Sequence, residues 1–366
     1  MFDARQGLYT ARELLDGFNP EHTLAFTETF DFSVFRAFVK EGGAVPKTLD
    51  IRRRQAEHDS CIGDGLRRFL KAHDRPLVGI MGGHSVPRDD AAYRDLALLA
   101  GHLNERGYLI VTGGGPGIME AAHFGVVFSG RNAAKFDEAL AFLKGTPRFP
   151  DLDGLIDSDG NVAPDMEGKR IQARDWLAAS LKARSMAEGE LPVSLAIPTW
   201  LYGAEPTMPF ASHYGKYFQN SIREEALVNN SRTGIVYGHG GGGTLREIFQ
   251  DVELNFYAKQ PKDFTPMIFF DKAGFWTSQP DIKGTVVVHD RIKLDQVVPN
   301  ILRTARLKID KDDAKVKECL NKIYFGDVYD DIDRILRAHA PTAQSNREFA
   351  LNAQPLKVSI SRINRA

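Results

Sequence analysis

Ten residues, GHGGGGTLRE (Gly238–Glu247), place four consecutive glycines in front of a hydroxyl and a charged Arg–Glu pair. These types suit a phosphate cradle followed by a group able to act on what the phosphate carries. Glycine lacks Cβ, so it reaches positive φ cheaply and admits a ligand close to the backbone. If a helix begins here, its first N–H groups have no internal partner and its dipole favours an anion. A simple turn would need only one glycine, which weights the reading towards binding. Glu247 carries two readings: a catalytic acid, or an acid that merely complements the helix dipole.

The flanks supply the elements that must position this loop. Upstream, Thr233, Ile235, Val236 and Tyr237 read as a short buried strand. Downstream, Leu245, Ile248, Phe249, Val252 and Phe256 recur at spacings of three and four, which predicts an amphipathic helix. Two further glycine turns follow apolar runs: MGGHSVPRDD (Met81–Asp90) after PLVGI, and TGGGPGIMEAA (Thr112–Ala122) after YLIV. Helical patterns, AAYRDLALLAGHLNERG and GIMEAAHFGVVF, follow those turns. This alternation predicts an α/β chain: a Rossmann-like, doubly wound parallel sheet with helical N- and C-terminal additions. In such a sheet all three turns lie at the carboxyl ends of strands, where ligands bind. None is diagnostic alone, because GGGPGIME is not the dinucleotide GxGxxG fingerprint and GGGGTLRE lacks the Walker lysine. Together they point to a nucleotide or phosphosugar site.

The 366 residues divide by pattern into a helical extension (1–75), a nucleotide-binding catalytic domain (76–305) and a C-terminal helical extension with a polar tail (306–366). Within the extension, Ile51–His73 has helical spacing interrupted by a glycine pair. Residues 145–175 read as a polar insertion, and its four aspartates match no EF-hand register. The strands LPVSLAIP, PMIFFD and GTVVVH and the helices around Phe218–Val228, LDQVVPNILRTA and VYDDIDRILRAHA complete the chain, with a polar tail beyond Pro341. A net charge of −1 gives no support to nucleic-acid or anionic-membrane binding. With only Cys61 and Cys319, neither a disulfide framework nor a cysteine zinc site is indicated, and no apolar run reaches membrane length. A cytoplasmic protein is expected. No metal site is expected either, because His84 and His239 lack a third partner at ligand spacing. Ser85 lacks the GxSxG context of a hydrolase nucleophile. Tyr202, Phe210, Tyr214 and Phe218 read as core or subunit contacts rather than a base-stacking box, although one of them could sandwich a base.

TGGGPGIME followed by GGGGT and Glu247 resembles the Lonely Guy superfamily, often labelled lysine decarboxylase-like, whose hallmark is a Pro-Gly-Gly-x-Gly-Thr-x-Glu-Glu loop. GGHS (Gly82–Ser85) with Arg88, then TGGGPGIMEAA, then AEPTMP (Ala204–Pro209) ahead of IREEALV, is similar to the bacterial nucleotide 5′-monophosphate nucleosidases. The resemblance spans roughly residues 76 to 290. It implies cleavage of nucleoside monophosphates to free base and ribose 5-phosphate, without a cofactor, by a homo-oligomer. It also implies that Gly241, Gly243 and Thr244 hold the 5′-phosphate with Gly240 shaping the loop. Gly114, Gly115 and Gly117 would line the opposite wall, Gly83 and Ser85 would sit beside the nucleotide, and Arg88 would reach a phosphate. Arg223 matches the active-site arginine, and Glu247 the second acid of the Glu–Glu pair.

Three positions depart from that pattern. His239 replaces the proline, Arg246 replaces the first acid, and Glu224 stands where many relatives carry a basic residue after the arginine. Breaking an N-glycosidic bond passes through an oxocarbenium-like transition state, which calls for a carboxylate near the anomeric carbon. An arginine binds phosphate but is no base at neutral pH. Arg246 and Glu247 point about 100° apart on a helix, so they cannot exchange roles. The carboxylate is therefore Glu247, the favoured choice, or Glu120, Glu224 or Glu225; failing these, the site binds without cleaving, with Arg246 among its binding residues, or it acts on another phosphorylated N-glycoside whose extra phosphate Arg246 reads.

Overall fold

The computed structural model describes residues 7–203, 206–278, 281–283, 286–289, 293–309 and 312–352. The chain opens with helices α1 (Ala11–Leu14), α2 (Phe30–Lys40) and α3 (Leu49–Ala72). Alternating units follow: β1 (Leu77–Met81), α4 (Ala91–Glu105), β2 (Leu109–Thr112) and α5 (Ile118–Val127). Helices α6 (Ala133–Leu143) and α7 (Glu167–Ser185) lead to the two-residue strands β3 (Leu195–Ala196) and β4 (His213–Tyr214). Then come α8 (Asn220–Asn230), β5 (Gly234–Tyr237), α9 (Gly242–Phe256) and β6 (Met267–Phe270). The chain continues through β7 (Asp281–Lys283), β8 (Val286–His289), α10 (Leu294–Ile309), α11 (Asp313–Leu320), β9 (Ile323–Gly326) and α12 (Tyr329–Asn352).

Seven strands form one parallel sheet in the order β4-β3-β2-β1-β5-β6-β9. Strands β1, β2, β5 and β6 are buried at every position, as expected of parallel strands covered by helices on both faces. The expected α/β, Rossmann-like doubly wound class is therefore the observed one. From β1 the chain winds outward through β2, β3 and β4, then returns to β5 on the other side. The β1–β5 junction is the topological switch point, and the crevice beyond its carboxyl ends is where such sheets bind ligands. The turns Gly82–Pro87 and Gly238–Gly241 both leave from that junction.

Several elements differ from expectation. Helix α3 runs unbroken through Gly63 and Gly65; at Gly65 the Gly7–Leu8 backbone passes so close that a Cβ would stand 3.2 Å from Gly7 C, which accounts for that glycine. The polar 145–175 stretch is not a solvated loop throughout. Leu152 and Leu155 are buried, and α7 begins at Glu167 with Ala173, Trp176 and Leu177 facing the core. The GTVVVH strand, β8, pairs antiparallel with β7 in a separate hairpin. The C-terminal region contributes β9, which extends the main sheet beside β6, and α12 runs through Pro341 to Asn352. Residues 353–366 of the expected polar tail, and Ala204 and Glu205 of AEPTMP, lie outside the described residues. No helix among the described residues is long and apolar enough to cross a membrane.

Candidate functional site

The three glycine turns meet backbone to backbone at the switch point. Gly83 N–H donates to His239 O at 2.7 Å, and Ile118 N–H donates to Gly83 O at 3.1 Å. A Cβ at Gly83 would stand 3.1 Å from Gly240 Cα, and one at Gly117 would stand 2.3 Å from Gly83 O. Gly114 and Gly117 also take positive φ, 81° and 68°, so their turn requires glycine twice over. Gly114 and Gly115 are buried in this arrangement, while Gly117 lines a cavity.

The four-glycine run behaves differently. None of its members has positive φ, so the conformational reason for glycine expected here does not apply. Gly240 is required by packing, since a Cβ would collide with Thr244 Oγ1 and come within 3.0 Å of Gly83 N. At Gly241, Gly242 and Gly243 an added Cβ meets nothing within 4 Å. These three are exposed, Gly241 is the N-cap of α9, and no side chain caps the helix. An uncapped helix start faced only with glycine leaves its first N–H groups open to an anion. Thr244, in the first turn, is buried.

Behind this opening, α8 and α9 bring together four charged side chains. Arg223 Nη1 lies 3.5 Å from Glu247 Oε1, and Arg246 Nη2 lies 2.8 Å from Glu224 Oε2. Arg223 is held from below: its Nε donates to Ile197 O at 2.7 Å and its Nη2 to Gly113 O at 3.1 Å. Gly113 must lack a side chain, because a Cβ there would stand 2.0 Å from Arg223 Nη2. The start of α8 is fixed from α3, where the Asp59 carboxylate accepts from Phe218 N and Gln219 N, both at 2.9 Å. Arg223, Glu224 and Glu247 are each more than nine-tenths buried or at that limit. Burial pushes the Glu247 carboxyl up to about 7, with Glu224 adding to the rise and Arg223 and Arg246 opposing it. A carboxyl there exchanges protons near neutrality, which suits general acid–base work.

Arg88 does not take the place expected of it. Its guanidinium is 1% exposed and bonded to both oxygens of Glu120, at 2.9 and 2.7 Å. The remaining donors go to Thr146 Oγ1, Trp176 O and Ser180 Oγ, and the plane stacks on the Trp176 ring at 3.8 Å. Arg88 is thus committed to the protein rather than to a phosphate. Glu120 is fully buried and also accepts from Tyr93 Oη at 3.2 Å, so it is a structural counter-ion and not a free carboxylate. Its partners on α7 could not be read from local pattern.

Next to the turns lies a cavity of about 610 Å³ lined by Ser85, Gly117, Phe149, Trp176 and Tyr202, with the Arg88–Glu120 pair at its floor. It does not include Arg223, Glu247 or the open glycines; its link to their cluster runs through Tyr202. Tyr202 Oη is reached by Asn220 Nδ2 at 3.4 Å, and the same amide donates to Glu224 at 2.7 Å. Phe210, Tyr214 and Phe218 are buried, as expected of core, whereas Tyr202 is 47% exposed on the cavity wall. Gly113, Asp59 and Asn220 were not singled out by the sequence; only Gly113, inside a glycine turn, carried a local signal.

The fold and this arrangement define an α/β protein with a polar cluster at the switch point of its sheet. No protein-family model matches the chain, and no curated protein matches it.

Proposed function

We propose that this chain hydrolyses the N-glycosidic bond of a nucleoside 5′-monophosphate, releasing free base and ribose 5-phosphate. The observation that carries this reading is the juxtaposition of an uncapped, glycine-faced helix start with the buried Arg223–Glu247 pair about one and a half turns along α9. The 5′-phosphate accepts from the α9 N-terminal amides around Gly241–Thr244. The ribose lies towards Glu247, and the base extends into the 610 Å³ cavity past Ser85 and Gly117. As the C1′–N bond breaks, its electron pair leaves with the base, and positive charge develops on the sugar. The ionised Glu247 carboxylate stabilises that charge and takes a proton from the water whose oxygen bonds to C1′; that proton passes to the departing base nitrogen, which leaves the base neutral and Glu247 ionised again. Arg223, anchored on two carbonyls, orients Glu247. In this reading no cofactor is used, and the protein works in the cytoplasm as a homo-oligomer belonging with the Lonely Guy-type nucleosidases that it resembles.

A nucleotide-binding protein without turnover is the second reading, favoured by Arg246 at the position of an acid. Incubation of the pure protein with nucleoside monophosphates, nucleosides and nucleotide sugars, with chromatography of released base, separates the two. Base from a monophosphate but not from the nucleoside is the expected result. No release, with thermal stabilisation by the nucleotide, would favour the second reading.

A further inference from the structure

The two charged departures from the resembled pattern face each other. Glu224 on α8 and Arg246 on α9 approach to 2.8 Å, a charge-assisted distance, while the Arg223–Glu247 contact is looser at 3.5 Å. Glu224 is 7% exposed, and its other oxygen accepts from Asn220 Nδ2 at 2.7 Å. The Arg246 side chain is 62% exposed, so it is the solvent-side member of its pair. Two carboxylates and two guanidiniums thus alternate across the helix pair, with no net charge.

We propose that Glu224 and Arg246 form one positioning unit for Glu247, in which Arg246 is the counter-ion of Glu224 and does not read substrate phosphate. The second carboxylate of the site is presented from α8, and the arginine from α9, the reverse of the pattern in the resembled family. A phosphate drawn to Arg246 would have to displace Glu224 and would be repelled by it. The open amides of α9 meet no such competitor. Among the described residues, the groups that act on Glu247 are Arg223 and Glu224 from α8, Tyr237 from β5 and Arg246 from α9, with Asp251 one turn further along the same helix. Removing the Glu224 charge therefore makes Glu247 more acidic, and removing the Arg246 charge makes it less acidic.

The inference rests on the hydrolytic reading for its kinetic arm alone. The deciding experiment titrates the Glu247 carboxyl by ¹³C NMR in the full chain, with the resonance assigned through Glu247→Gln. Glu224→Gln should move the midpoint down and Arg246→Gln should move it up, each by roughly half a unit or more. Inorganic phosphate should bind Arg246→Gln within about threefold of the parent, because the α9 amides supply the contacts. Arg246 is mostly exposed, so Arg246→Gln keeps the fold and decides the matter even where Glu224→Gln does not. Midpoints that stay put or move together, or a tenfold loss of phosphate affinity in Arg246→Gln, would overturn the proposal. In the kinetic arm, Arg246→Glu lowers kcat/KM, and adding Glu224→Arg to it recovers much of the loss. A parent protein with no turnover would sink the hydrolytic reading, while the titration and phosphate binding still judge the positioning unit.

Discussion

Arg88 and Glu120, on one side of the glycine turns, meet through two hydrogen bonds of 2.7 and 2.9 Å, and every remaining donor of the arginine is taken. Arg223 and Glu247, on the other side, meet at 3.5 Å with two further charges beside them. The residue types are the same. The first pair is saturated and enclosed, so its energy is spent holding α5 against α7. The second is looser, with the exposed Arg246 beside it, and it is the pair that the proposed reaction uses. Under that reading saturation, not residue type, separates architecture from chemistry.

The largest expected effect breaks the comparison at Glu247. Glu247→Gln should lower kcat/KM on a nucleoside monophosphate by on the order of 10²–10⁴, with the nucleotide still bound. It should also stabilise the fold above neutrality. The folded-state carboxyl titrates at about 7, above its ordinary value of 4.5, so the folded chain holds that proton more tightly. Stability from this group is full below pH 4.5 and is lost as pH rises through about 7. The glutamine variant escapes that loss, which thermal melts at pH 8 should read as a gain of up to about 3 kcal/mol. Unchanged turnover would sink the acid assignment.

The next largest effect falls on the other pair and should be one of stability. Arg88→Met leaves a buried carboxylate without its counter-ion, at a cost of about 3–5 kcal/mol. Adding Glu120→Met should recover part of it, as a denaturation cycle would show. A normal melting point with weakened phosphate binding would return Arg88 to the ligand.

That contrast marks what local pattern conveys. Strand–glycine–helix alternation names the doubly wound sheet, because apolar runs and turn residues express themselves within a dozen positions. It also draws the eye to Glu247 behind a recognisable loop, whereas Arg223, inside α8, is singled out only through the resemblance. It cannot show that Arg88 meets Ser180 on a helix 92 positions on, or that Asp59 holds the backbone entering α8 from 159 positions away. Strand β4 spans two residues, too short for any period, and α7 begins inside a stretch whose acids and glycines mask its helical spacing. The β9 run Ile323–Gly326 is not read as a strand, because four residues between two helical patterns are too few to show a period; its pairing with β6 reveals that it completes the sheet.

A smaller effect sharpens the electrostatic side of the comparison. Asp251, one turn beyond Glu247, is fully buried, accepts from Tyr237 Oη at 2.8 Å and is pushed up to about 7 by burial. By the same sign, the folded chain loses stability as pH rises towards 7. Asp251→Asn should flatten that slope by about 1 kcal/mol between pH 5 and 8, measured by urea midpoints. An unaltered slope would mean that Asp251 stays ionised throughout.

The smallest effect tests why the glycines are there. Gly243→Ala introduces a methyl that meets nothing within 4 Å, at a position without positive φ, inside the first turn of α9. Helix propensity alone predicts a gain of roughly 0.5–1 kcal/mol. Gly240→Ala, three residues earlier, should instead lose stability against Thr244 and Gly83. If the open amides cradle a phosphate, the methyl at 243 obstructs its approach, and KM for the monophosphate rises while kcat changes little. A variant more stable yet poorer at binding would show that the glycines are kept for a ligand. Greater stability with unchanged KM would make the run a turn and nothing more.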